Sequence, residues 1–100
     1  MTLQLWEVLL PARLPLKLHR AWDEKVGLLC GGCTIIQQVD GVWKPNQSRQ
    51  VRREKMLAVR VAVSLDKLDE LLGMTAVHYD QTAIMAYKIS DDVRFYSYEE

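Results

Sequence analysis

Four groups of residues in this chain have the types and spacing that chemistry requires. Cys30 and Cys33 are separated by two glycines, the C-x-x-C spacing of thiol redox centres and of zinc sites. His78, Tyr79, Asp80 and Gln81 are consecutive, and an imidazole beside a carboxylate and a phenol supplies a general base and a proton donor. Arg49, Arg52, Arg53 and Lys55 follow Trp43 closely, the charge and aromatic platform of a phosphate or nucleic-acid contact. Arg60 interrupts an apolar run, and a buried or interfacial arginine calls for a carboxylate, from the protein or from a bound acid.

The elements that must position these groups follow from the hydrophobic periodicity. Residues 2 to 10 alternate and end at Pro11, which predicts a strand buried on both faces. From Pro15 to Leu29 the apolar positions Leu18, Trp22, Val26 and Leu29 fall on one helical stripe with charged residues around it, and Gly31 and Gly32 end the helix. Cys33 to Val39 is a second strand closing at Asp40-Gly41. Residues 40 to 53, with Pro45 and three arginines, read as a long polar excursion, into which Val42 and Trp43 can carry the pairing. Leu57, Val59, Val61 and Val63 alternate with Met56, Ala58, Arg60 and Ala62 in a third strand. Ser64 then serves as N-cap to a helix that carries Leu65, Leu68, Leu71 and Leu72 inward and reaches Val77 to Tyr79. Thr82 to Ile89 is a fourth strand, and Val93 to Tyr98 has the composition of a short fifth one.

The order β-α-β-β-α-β over one domain, residues 1 to 100, is the ferredoxin-like α+β pattern, with two helices on one face of an antiparallel sheet. The uncovered face would carry Met56, Ala58 and Ala62, so a second copy packed sheet to sheet, a dimeric α+β barrel, is the favoured architecture. A monomer with that face wet around Arg60 is the alternative.

This frame decides among the chemical readings. His19 precedes Cys30 by about three helical turns, roughly 16 Å along the axis, so it cannot share an ion with both cysteines, and no metal site is expected. The thiols follow a helix instead of preceding one, where its negative end disfavours thiolate; two half-buried thiols flanking a turn are favoured. For His78, Tyr79 and Asp80, adjacency in sequence sends side chains in different directions, so a polar helix-to-strand connection is favoured over catalysis. The basic segment is countered by Glu54 and by a total of 13 basic against 13 acidic residues, which favours a solvated loop or a subunit contact and disfavours nucleic acid. The acidic residues Asp91, Asp92, Glu99 and Glu100 read as turn and terminus. The apolar start lacks a basic leader and is broken by Glu7, no apolar run approaches the roughly 20 residues that cross a bilayer, and two cysteines without an export signal fit the cytoplasm.

The stretches GGCTIIQQVDGVWK, RREKMLAVRV and HYDQTAIMAY carry a glycine-threonine strand start, a turn leading to G-x-W, an Arg-Glu before an apolar strand and a Tyr followed by a Gln-x-x-Ile-like run. Over residues 31 to 89 the chain thus resembles a small bacterial family to which no activity is attached. The resemblance implies a ferredoxin-like or α+β-barrel domain and supplies no catalytic residues; the cysteines lie outside its pattern. The reading is a binding module for a small molecule or a partner protein, acting as a homodimer without a cofactor. Trp43, Arg60, Tyr79, Gln81 and Tyr87 are the candidate ligand contacts, in a pocket between sheet and helix or at the dimer seam. The alternatives are a small-acid or aromatic-substrate enzyme using His78 with Tyr79 or Asp80, and a structural interaction subunit.

Overall fold

The computed structural model describes residues 2–44 and 47–98. Pro45 of the expected excursion and Glu99 and Glu100 of the acidic terminus lie outside the described residues. The elements run β1 (Gln4–Pro11), α1 (Leu16–Cys30), β2 (Thr34–Trp43), β3 (Arg52–Val63), α2 (Leu65–His78) and β4 (Ala86–Ser90). The sheet order is β2-β3-β1-β4 with every neighbouring pair antiparallel, which makes this a ferredoxin-like α+β fold.

Alternation along the two central strands sorts their residues onto two faces. Val8 and Leu10 of β1 and Val59, Val61 and Val63 of β3 point to the helices and are almost fully buried. They close a core with Trp22 and Val26 of α1, Leu68 and Leu71 of α2, and Tyr79 just beyond α2. The stripe expected on α1 is centred on Trp22 and Val26, with Leu18 and Leu29 packed at its margins. Thr75 lets the one indole in this core keep its hydrogen bond: Trp22 Nε1 donates to Thr75 Oγ1 at 3.0 Å, and that hydroxyl donates to the Leu71 carbonyl at 2.7 Å.

The pairing does carry through Val42 and Trp43, as the sequence allows, while the start of β3, the extent of β4 and the fifth strand differ from the sequence expectation. β2 continues to Trp43 and β3 begins at Arg52, because Asp40 to Trp43 pair with Arg52 to Lys55 across a hairpin stem. Its residues show no apolar alternation, and backbone pairing together with the Asp40–Lys55 ion pair extends it. β4 is confined to Ala86–Ser90, since β1 is its only partner and the ladder between them starts at Val8 opposite Ala86. The fifth strand expected over Val93 to Tyr98 does not form among the described residues, which run there without regular structure.

Both helices stop by backbone geometry. Gly31 takes a left-handed φ of 89° after α1, where its N–H donates to the Gly27 carbonyl. After α2 the left-handed residue is Asp80, with φ 51°. Its N–H donates to the Val77 carbonyl at 3.2 Å, and the Gln81 N–H donates to the Ala76 carbonyl at 2.8 Å, the two bonds of a Schellman stop. Gly73 lies within α2 and does not end it.

Candidate functional site on the open face of the sheet

The face opposite the helices is built by the other parity of the same strands. Leu5, Glu7 and Leu9 of β1 stand on it beside Ala62, Arg60 and Ala58 of β3, their ladder partners. The register sets one polar row across the middle: Thr34 of β2 opposite Arg60, Arg60 opposite Glu7, and Glu7 opposite Tyr87 of β4. Arg60 Nε donates to Glu7 Oε1 at 3.2 Å. Glu7 is only 7 % exposed, so this carboxylate relies on the half-buried guanidinium for its stabilisation. Apolar and small residues flank the row above and below. The result is a neutral, mostly apolar surface with one ion pair at its centre.

At one end of this face a groove of about 430 Å³ runs between Leu5, Arg60 and Ala62, the turn from Cys30 to Thr34, and Val93 and Phe95 of the C-terminal segment. Both cysteines lie here as free thiols. Burial pushes each thiol above its ordinary value; Lys67 partly offsets this at Cys30, whereas Asp23 and Cys30 add to it at Cys33. α1 is unbroken from Leu16 to Cys30, so His19 stays three turns away from the thiols. Among the described residues no three His, Cys, Asp or Glu side chains converge as a cation site.

The structure divides residues that are adjacent in sequence. His78 faces α1: its Nε2–H donates to the Leu18 carbonyl at 2.8 Å, which leaves Nδ1 to accept from Lys25 Nζ at 3.0 Å. Tyr79 turns into the core, 4 % exposed, and its hydroxyl donates to His19 Nδ1 at 2.8 Å while His19 Nε2–H donates to the Ala12 carbonyl at 3.2 Å. Burial holds the Tyr79 hydroxyl well above its ordinary pKa, with Asp23 and Cys33 adding to the shift. Asp80 is exposed at the helix stop, and Gln81 Nε2 donates to the Tyr79 carbonyl at 3.1 Å. The His78 and Tyr79 rings still meet edge to face, with centroids 4.8 Å apart, while both ring nitrogens of His78 and the Tyr79 hydroxyl are hydrogen-bonded elsewhere.

The five candidate ligand contacts separate in the same way. Arg60, Tyr87 and Trp43 belong to the open face, with Trp43 at the far end of the hairpin stem opposite Arg52. Tyr79 is on the helix side, and Gln81 is on the connection that follows it. The core occupies the space between sheet and helices, and the clefts described lie at the surface. Two functional-looking residues escape the sequence reading. Glu7 looks there like a mere interruption of an apolar strand, although its parity with Arg60 is readable once β1 and β3 are paired. His19 is weighed there only as a metal ligand, although its spacing of three and seven from Trp22 and Val26 places it on the buried stripe.

Among solved structures the fold is similar to that of the divalent cation tolerance protein CutA1 from Thermus thermophilus, with TM-score 0.69 and 10% identity over 87% of this chain and 82% of that one. CutA1 from Oryza sativa is similar at TM-score 0.72 and 9% identity, covering 97% and 84% of the two chains. The GlnK–ATP complex of B. subtilis is similar at TM-score 0.53 and 20% identity, covering 89% and 84%. At these identities the likeness is one of fold. No family model and no curated protein matches the sequence.

Proposed function

We propose that this chain is a single-domain binding module that acts as a homodimer, two copies packing the open faces of their sheets together. The observation that carries the proposal is the open face itself: the half-exposed Leu5, Leu9 and Ala62 surround a paired Glu7 and Arg60, with Ala58 already buried between them and Val93 and Phe95 bordering one end. Such a face is self-complementary in charge because its one ion pair is internal, so a second copy meets no net repulsion. Sheets packed in this way lie about 10 Å apart, and a stable contact needs roughly 800 Å² from each partner, an area a four-stranded sheet can present. The structural neighbours are compatible with a binding role, one of them having been solved with ATP and others being named for divalent cation tolerance. Two free thiols fit a cytoplasmic setting, and no described helix is long and apolar enough to cross a membrane.

Sedimentation velocity tests the assembly. The unaltered chain is expected to sediment as a dimer, and Leu9→Glu, which places an unpaired carboxylate on the open face, is expected to sediment as a monomer with an unchanged circular dichroism spectrum. A monomer at every concentration, or a dimer indifferent to Leu9→Glu, would remove the open face from the account. A thermal-shift screen against metabolites addresses the small-molecule side, since a ligand at about 100 times its Kd adds about 2.7 kcal/mol.

A further inference from the structure

A second cleft, of about 550 Å³, lies at the opposite end of the sheet from the cysteines. β1 leaves its ladder at Pro11, and the Ala12 N–H still donates to the Lys55 carbonyl at 3.0 Å, which sets Arg13 beside the hairpin stem. Alternation along β3 puts Arg53 and Lys55 on the helix side, and Glu54 between them also lines the cleft. Asp40 stands opposite Lys55 and is ion-paired with it. Pro11, Leu14, Glu54 and Gln81 complete the wall.

The three cations of this cleft, Arg13, Arg53 and Lys55, outnumber its two carboxylates, Asp40 and Glu54. Lys55 is held by Asp40, but Arg13 and Arg53 have no ion-pair partner among the described residues. The local field is positive enough to hold the Asp40 carboxyl below its ordinary value: Lys55 contributes most, and Arg53 and Arg13 add to it. Gln81 spends its side-chain N–H on the Tyr79 carbonyl, which leaves its Oε1 as an acceptor at the cleft wall. Two guanidiniums on separate elements, converging on one concavity beside an apolar residue and an amide acceptor, form a geometry suited to a forked oxyanion with a small organic body.

We infer that this cleft binds a small molecule carrying a doubly charged oxyanion group, gripped by Arg13 and Arg53. The site lies within one chain and on the other side of the sheet from the proposed dimer contact, so binding and assembly can fail independently. The test is isothermal titration of the full chain with inorganic pyrophosphate and, separately, with succinate, at constant ionic strength set by sodium chloride. At least one of the two is expected to bind saturably, and which one does so identifies the group as phosphoryl or carboxylate. Arg13→Gln and Arg53→Gln, both at exposed positions, are expected to weaken that binding about tenfold or more each. Asp40→Asn, which frees Lys55 and removes a negative charge, is expected to strengthen it, and Arg94→Gln in the distant C-terminal segment is expected to leave it unchanged. Failure of both anions to saturate, or an equal loss in Arg94→Gln and Arg13→Gln, would overturn the inference.

Discussion

Both imidazoles of this chain have their two ring nitrogens hydrogen-bonded to protein partners. His78 ties the end of α2 to the Leu18 carbonyl and Lys25 of α1. His19 ties Tyr79 to the turn after β1 through the Ala12 carbonyl. Tyr79→Phe removes the hydroxyl and leaves His19 Nδ1 buried without a donor, which is expected to cost about 1–3 kcal/mol in urea unfolding. The same substitution has a pH signature. The folded chain keeps the Tyr79 proton well above the ordinary value of 10.0, so this group's stabilising contribution is complete below about pH 10 and is lost as the pH rises from there toward the folded-state value. Tyr79→Phe should therefore show a shallower alkaline loss of stability than the unaltered chain. Arg60 makes the opposite case, because its identity and its position in an apolar strand do signal a carboxylate partner. Arg60→Ala leaves the Glu7 carboxylate nearly buried and unpaired, at an expected cost of about 1–3 kcal/mol, whereas Glu7→Gln with Arg60→Met should recover most of that.

At the scale of elements, the two most conspicuous motifs of the sequence are helix stops. C-G-G-C ends α1 through Gly31 in the left-handed region, and H-Y-D-Q ends α2 through Asp80 in the same region. Glycine at the first is readable as a stop; aspartate at the second conceals it, because Asp beside His and Tyr looks like chemistry. Thermal unfolding can separate the two roles. Gly31→Ala is expected to destabilise by about 1 kcal/mol, while Asp80→Gly is expected to be neutral or to stabilise by up to about 1 kcal/mol. Gly27→Ala, inside α1 with open space around the added methyl group, should stabilise by about 0.5–1 kcal/mol. The strands show where pattern reading works and where it stops. β1 and the inner half of β3 declare themselves because a core selects their alternation. The stem formed by Asp40 to Trp43 and Arg52 to Lys55 has no core beneath it, and its pairing rests on backbone bonds and the Asp40–Lys55 ion pair, which hydropathy does not register.

The whole molecule is more extended than its length requires. Its radius of gyration is 14.9 Å, against about 13 Å for a compact 100-residue domain, and its extents are 58 × 29 × 22 Å. The hairpin stem and the C-terminal segment carry Trp43 half in solvent and Phe95, Tyr96 and Tyr98 largely so. Topology is legible from the sequence because element order and alternation jointly determine it. The distribution of site residues is not, since a face is set by register across strands, and register places Arg60 and Tyr87 on one side and Tyr79 on the other. The central claim, that the open face joins two copies, is tested most directly by methyl NMR across a dilution from millimolar to micromolar chain. The signals of Leu5, Leu9 and Ala62 are expected to shift together with concentration, while Val59, Val61 and Val63 on the helix side hold still. Open-face methyl groups that ignore concentration, or shifts confined to α1 and α2, would contradict it.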